Sequence, residues 1–225
     1  MSEGTIVTEK LSKGYNIGKR SEFYALKDVD MRVEKGELVA ITGPSGSGKS
    51  TLLNLISCLD TPTTGRVFLE GVDVGKLSEG QRARIRREKI GFVFQQFNLM
   101  KSMTAYENVE LPMKLLGLHN KERHERVKNL LETVGLENKG NNKANELSGG
   151  EQQRIAIARS LANQPKIILA DEPTGNLDKK SGENIINLLL YLNKKENKTI
   201  VIITHDPGIA TKCLRVIRIE DGRII

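Results

Sequence analysis

No apolar run in this chain approaches the roughly 18 residues that a membrane-spanning helix needs, and Met1 to Lys10 is polar, without the apolar core of a signal peptide. The chain is therefore expected to be neither exported nor membrane-spanning by itself. Cysteine is scarce too. Cys58 and Cys213 are the two present, and neither has a partner at metal-ligand or redox-motif spacing. They read as small buried hydrophobes in a reducing compartment such as the cytosol. Linkers, tandem repeats and low-complexity segments are missing, so 225 residues at 38% hydrophobic are expected to form one domain, 1–225. What the chain has in surplus is positive charge, a formal +7 with a pI of about 9.4. That admits an anionic partner but selects none. The densest run, Arg82 to Lys89, has no interleaved aromatics for base stacking, and helical spacing turns most of its charges to water. Docking beside a membrane or partner is its alternative role; Lys121 to Lys128 is likewise a solvated helix, and no nucleic-acid partner is expected.

Apolar runs of strand length alternate with helical patterns, the mark of a mainly parallel sheet covered by helices. Strands are expected at Leu38–Thr42, Ile90–Phe94, Lys166–Ala170 and Thr199–Thr204, with helices at Thr51–Leu59 and Ile185–Leu192. Shorter segments at Thr5–Glu9, Val29–Val33 and Arg66–Leu69 suggest an antiparallel annex near the N-terminus. Strands vanish between Met103 and Glu146, where patterns such as Glu125–Val134 point to a helical insert, set at about 97–160. The fold class is thus α/β, a phosphate-loop core with an antiparallel annex and an inserted α-helical subdomain.

The strand Leu38–Thr42 runs into Gly43-Pro44-Ser45-Gly46-Ser47-Gly48-Lys49-Ser50, which matches the phosphate-loop pattern G-x-x-x-x-G-K-[ST]. Its glycines let the backbone turn with amides inward, so that N–H groups and the next helix N-terminus cradle β- and γ-phosphates. Lys49 brings a cation to those phosphates, Ser50 a hydroxyl for Mg²⁺, and Thr51 a hydroxyl near the α-phosphate. A second strand, Ile167–Ala170, carries Asp171 and Glu172 to its carboxyl end, where open α/β sheets place their ligands. Asp171 is expected to hold Mg²⁺ through water and Glu172 to orient the water that attacks the γ-phosphorus.

Leu147-Ser148-Gly149-Gly150-Glu151 carries two readings. Ser148 with Glu151 is a capping box for a helix over Gln152–Leu161, yet two adjacent glycines give up roughly 1 kcal/mol each against alanine. A cap does not require them, and bare amides at a helix N-terminus suit close approach of a phosphate.

These motifs, in this order, resemble the nucleotide-binding subunit of an ATP-binding-cassette (ABC) transporter over essentially the whole chain. Leu147 to Glu151 is similar to the family's LSGGQ signature, with Glu151 in place of the usual Gln. The resemblance implies ATP and Mg²⁺ as ligands, Glu172, His205 and Lys49 as catalytic residues, and Gln95 as the glutamine that senses Mg²⁺ and the membrane partner. It implies a homodimer on MgATP binding, in which Ser148, Gly149, Gly150 and Asp178 of one chain act in trans on the phosphates of the other. His205 becomes the switch histidine near the γ-phosphate, although the residues alone leave it open between that and a structural role. Tyr15 becomes the aromatic stacked on adenine, or else a packing residue. An integral membrane permease is expected to dock near Gln95 to Leu118, where Met100 and Met103 are candidate contacts, with the chain cytoplasmic and peripheral on the inner face of the membrane.

Val93–Leu99, Glu107–Pro112 and Ala170–Asp178 most resemble the lipoprotein-releasing and macrolide-exporter branch. Thr211–Arg215 departs from the family by lacking an acidic residue before the arginine. A chromosome or DNA-repair ATPase of the superfamily is excluded, because Thr51 to Leu147 has neither room nor heptads for a coiled coil. An ABC ATPase of a non-transport complex, such as a cell-division or signalling assembly, is the alternative function.

Overall fold

The computed structural model describes residues 4–225; residues 1–3, the start of the polar stretch noted above, lie outside the described residues. In chain order the elements are β1 (Ile6–Tyr15), β2 (Phe23–Val33), β3 (Leu38–Thr42), α1 (Lys49–Ile56), β4 (Thr64–Leu69), β5 (Val72–Asp73), α2 (Glu79–Lys89) and β6 (Ile90–Phe94). They continue with α3 (Ala105–Leu116), α4 (Asn120–Thr133), α5 (Gly149–Leu161), β7 (Ile167–Asp171), α6 (Lys179–Glu196), β8 (Thr199–Ile203), α7 (Pro207–Ala210), β9 (Arg215–Glu220) and β10 (Arg223–Ile224).

The main sheet runs β10-β9-β3-β8-β7-β6, all parallel except the antiparallel β10 edge. Strands β3, β8, β7 and β6 are apolar on both faces because both faces are covered there, whereas β9 and β10 are largely exposed. Alternate residues sort cleanly, as a period of two requires. Val39, Ile41, Leu169, Val201 and Ile203 join one cluster with Leu52 and Ile56 of α1 and with Ile6 and Leu26 of the second sheet. Leu38, Ile168, Ala170, Ile200 and Ile202 face Ile185, Leu189 and Leu192 of α6. Each such side chain, fully buried, contributes on the order of 1.5–3 kcal/mol.

The expected annex is the antiparallel sheet β2-β1-β4-β5. β1 is longer than its apolar run because bulges let it bend past Lys10, which sits at φ 44°, and continue to Tyr15 opposite Phe23. Helix α1 begins at Lys49, two residues before the position read from sequence, and ends at Ile56, since Cys58 turns the chain at φ 62°. Helix α2 buries no residue, as its charge density requires.

The helices expected in the insert pack on a cluster of their own around Val109, Met113, Val127, Leu131 and Ile155. Helix α5 belongs to two layers, since its Ile157 and Leu161 join the cluster beneath the main sheet. The parallel register puts Phe94 beside Asp171 and Asp171 beside Ile203, with Ile41 beside Ile203 in turn. The segments starting at Gly43, Gln95, Glu172 and Thr204 therefore all leave the same carboxyl edge.

Candidate active site

At that edge a cleft of about 600 Å³ is lined by Tyr15, Gly43, Ser45, Gly46, Gly48, Lys49, Ser50, Thr51, Asp171, Glu172 and His205. The turn into α1 is possible only with glycine. Gly48 caps the helix at φ 104°, and a Cβ there would lie 2.4 Å from the Ala25 carbonyl oxygen. Gly43 approaches the Ile219 carbonyl so closely that a Cβ would stand 2.0 Å from it. The annex and the end of β9 thus hold the loop from outside, leaving the α1 N-terminus open to an anion. The Lys49 ammonium donates to the carbonyls of Gly43 (2.9 Å) and Pro44 (2.7 Å), arching over its own loop.

Across the cleft, Glu172 follows β7 in a left-handed conformation, φ 46°. Such a conformation costs a non-glycine residue on the order of 1–2 kcal/mol. Its N–H donates to the Ile203 carbonyl and its C=O accepts from Gly175 N–H, both at 3.0 Å, which fixes the turn. The side chain meets His205 Nδ1 through Oε1 at 2.9 Å. Burial raises the pKa of Asp171, the neighbouring Glu172 carboxylate raises it further, and Lys49 opposes both. A half-buried carboxyl crowded by a second is a place where a divalent cation relieves electrostatic cost. Ser50 Oγ and the Asp171 carboxylate are hard oxygen donors, and among the described residues no cluster of three acidic, His or Cys side chains forms a metal cage. That donor set fits Mg²⁺, which keeps waters and takes its remaining ligands from phosphate.

Not every predicted residue lines the cleft. Pro44 is turned off it, and Ser47 is buried, its N–H donating to Pro44 O and its Oγ left without a partner. Gln95 also lies off it: its side-chain amide donates to Asn176 Oδ1 (3.4 Å), while Asn176 Nδ2 donates to the Gln95 carbonyl (3.0 Å). Ser148, Gly149, Gly150 and Asp178 form no part of the lining. Ser148 makes the expected capping box, its Oγ accepting from Glu151 N–H at 3.3 Å and donating to the Glu151 carboxylate at 2.9 Å. Gly150 has a packing reason that the sequence hid, since a Cβ on it would meet Ser181 Oγ at 2.9 Å. Asp178 caps α6, where hydrogen bonds from the Ser181 side chain and backbone hold its carboxyl below the usual range.

Phe23, Ala25 and Ile203 line the cleft without having been singled out. The Phe23 ring stacks on Tyr15 at 5.4 Å between centroids, and the Lys13 ammonium lies 5.3 Å from the Tyr15 centroid. The pair arises because β1 and β2 register Tyr15 with Phe23, a long-range match that composition does not reveal.

An α/β sheet that brings a phosphate loop and two carboxylates to its carboxyl edge defines a phosphate-loop nucleoside triphosphatase. The model of the ABC transporter family matches residues 26–175. An ABC transporter ATP-binding protein of Methanocaldococcus jannaschii, MJ0796, is 50% identical over 97% of this chain and 94% of its own length. The macrolide export ATP-binding/permease protein MacB of Neisseria gonorrhoeae is 48% identical over 90% of this chain, which spans 31% of that longer protein. A dimeric structure of MJ0796 superposes with a TM-score of 0.89 at 48% identity, covering 97% of this chain and 96% of that one. A dimeric structure of the same cassette, a post-hydrolysis state bound to ADP and Pi, matches with the same TM-score of 0.89. The chain belongs to the ABC transporter family, as an ATP-binding cassette of the ATP-hydrolysing kind.

Proposed function

We propose that this chain is the motor subunit of a transporter, closing as a homodimer on MgATP and passing the closure to an integral membrane permease. The observation that carries this reading is a divided site. One cleft gathers Gly43, Ser45, Gly46, Gly48 to Thr51, Asp171, Glu172 and His205, whereas Ser148, Gly149, Gly150 and Asp178, which suit a phosphate or a facing subunit, stand away from it. A second copy turned by a twofold axis supplies the missing half. The dimeric MJ0796 structures support this arrangement.

In this reading ATP phosphates meet the loop amides, and Lys49 exchanges the Gly43 and Pro44 carbonyls for β- and γ-oxygens. Ser50 and Asp171, with Gln95 once its loop closes, would hold Mg²⁺, which when bound neutralises the phosphate oxygens. An ionised Glu172 accepts from His205 Nδ1, which must therefore carry the proton. That leaves Oε2 of Glu172 to receive a proton from the attacking water, with His205 bracing the carboxylate. Tyr15 offers its ring to adenine. The insert, about residues 97–160 of the single domain 1–225, carries Ser148 to Gly150 toward the phosphates of the facing chain.

The permease contact belongs in an apolar groove of about 460 Å³ between β6, α2 and α3. Leu59, Phe92, Phe94, Leu111 and Leu115 line it together with Arg86, Arg87 and Arg159. Met100 and Met103 are not among its walls, so the docking surface shifts from those residues toward Leu111 and Leu115. A groove of this shape takes a short amphipathic helix. With no described helix long and apolar enough to cross a membrane, we place the chain on the cytoplasmic face through that contact. The decisive experiment is Glu172→Gln, which keeps the side-chain shape and loses the carboxylate. It should bind MgATP, turn over at least a hundredfold more slowly, and elute as a dimer. A monomer in saturating MgATP rejects the divided-site mechanism.

A further inference from the structure

Helix α5, which starts beside Ser148, holds both ends of the loop carrying Gln95. At the entry, the fully buried Gln153 side chain donates its amide to the carbonyl of Phe94 (3.3 Å) and to that of Pro173 (2.6 Å). At the exit, the two terminal nitrogens of Arg159 donate to the carbonyls of Phe97 (2.9 Å) and Asn98. Positions 153 and 159 lie about 9 Å apart along the helix axis. The loop is therefore fastened at two separate points of one rigid rod.

The exit is costly backbone. Phe97 (φ 57°) and Asn98 (φ 51°) are both left-handed, and a bulky ring in that conformation persists only where its surroundings hold it. A planar guanidinium spanning two successive carbonyls supplies that hold, and a flexible ammonium could not grip both in the same way. At the entry, Gln153 Oε1 is buried without a partner. A methionine of similar volume would leave no orphaned acceptor, so filling space does not account for an amide here. Its two donor bonds do, and they join α5 to the residue before Gln95 and to the residue after Glu172.

We propose that Gln153 and Arg159 are positioning residues that make the Gln95 loop and the Ser148–Gly150 helix start move as one body. Displacement of the loop, by a partner in the adjoining groove or by ligand in the cleft, then reaches Ser148 without slack. This rests on the ATPase reading above, in which Gln95 and Ser148 must close together.

The test uses the full chain. Arg159→Gln and Gln153→Met should each lower kcat for MgATP about tenfold, leave KM within twofold and move the melting midpoint by no more than a few degrees. Because both act on one loop, the double variant should lose no more than about twentyfold, well short of the product. Arg159→Lys should stay within threefold of Arg159→Gln, because an ammonium cannot span both carbonyls, and amide exchange at residues 96–100 should quicken in both variants. Should Arg159→Gln fail to fold, Gln153→Met, which disturbs no charge, decides by the same kcat-against-KM split. A kcat within twofold of the parent overturns the proposal, as does a double variant whose losses multiply to about a hundredfold. A parent chain without turnover, or Glu172→Gln with parental turnover, overturns the ATPase reading beneath it.

Discussion

His205 Nδ1 stands 2.9 Å from Oε1 of Glu172, joining the histidine after β8 to a carboxylate whose own backbone is left-handed. The imidazole is mostly exposed while the carboxylate is mostly covered, so the pair points from solvent into the cleft. His205→Ala removes the brace without touching the phosphate loop. Turnover should fall by up to about a hundredfold, the low end of what the proton transfer at the Glu172 carboxylate contributes, with nucleotide affinity nearly unchanged. A kcat within threefold of the parent in steady-state kinetics assigns His205 to structure alone.

The aromatic wall makes a graded prediction. Tyr15→Ala should weaken MgATP binding by about 1–3 kcal/mol, the range of one base–aromatic stack, and Tyr15→Phe should leave it unchanged. Phe23→Ala removes only the ring that steadies Tyr15, and about 0.5–1.5 kcal/mol is the most such an aromatic pair supplies. Titration with a fluorescent ATP analogue separates the two. Equal losses at both positions would mean that adenine lies on Phe23, whose 53% exposure leaves its ring accessible.

The parts of this molecule legible from sequence are those that local pattern determines. Leu38–Thr42, between Gly36 and Gly43, and Ile90–Phe94, between Lys89 and Gln95, are mainly apolar runs bounded by polar or turn residues, and both form strands with those bounds. β9, Arg215–Glu220, carries no continuous apolar run in the sequence because its residues alternate between solvent and core, with charges on the outer face. It interrupts the apolar signal that marks the buried strands. The phosphate loop and the acidic pair were legible because their chemistry needs fixed residue types at fixed spacing. Phe23 and Gln153 were not, since one owes its place to register across a hairpin and the other to carbonyls far away in sequence. Gly150 was legible as unusual, but its contact with Ser181 depends on how α6 packs on α5.

Acid should loosen the helical insert at a defined place. Glu110 on α3 is buried, pairing with Lys114 Nζ at 2.6 Å and with Arg123 Nε of α4 at 2.9 Å. Burial alone would raise its pKa, but the hydrogen bonds and charges of Lys114 and Arg123 outweigh it and hold the carboxyl below its ordinary value. A carboxyl depressed in the folded state stabilises above the unfolded pKa, and that stability is lost as pH falls through the folded pKa. Thermal melts should therefore decline from about pH 4.5 downward, with Glu110→Gln showing a flatter profile. At pH 7 the variant should be less stable by about 1–3 kcal/mol, because two cationic donors lose their acceptor. Parallel pH profiles for parent and variant would remove Glu110 from the acid response.

The groove prediction turns on Leu115, 66% exposed at the end of α3 and part of the apolar wall. A side chain so exposed contributes little to the fold, and a substitution there should change stability by no more than about 0.5 kcal/mol. Leu115→Asp replaces an apolar contact by a carboxylate, and pairing with the neighbouring Arg87 would keep that carboxylate hydrated where a docked apolar helix face must exclude water. The permease subunit should no longer be captured in a pull-down, while basal ATPase activity and the melt stay at parental values. Met100→Asp is the matched control: Met100 is 52% exposed, but its side chain is outside the groove and its backbone is tied to Asn108. Capture retained by Met100→Asp and lost in Leu115→Asp locates the contact in the groove. The reverse result restores the methionines beyond Gln95 as the docking surface and leaves the groove without a partner.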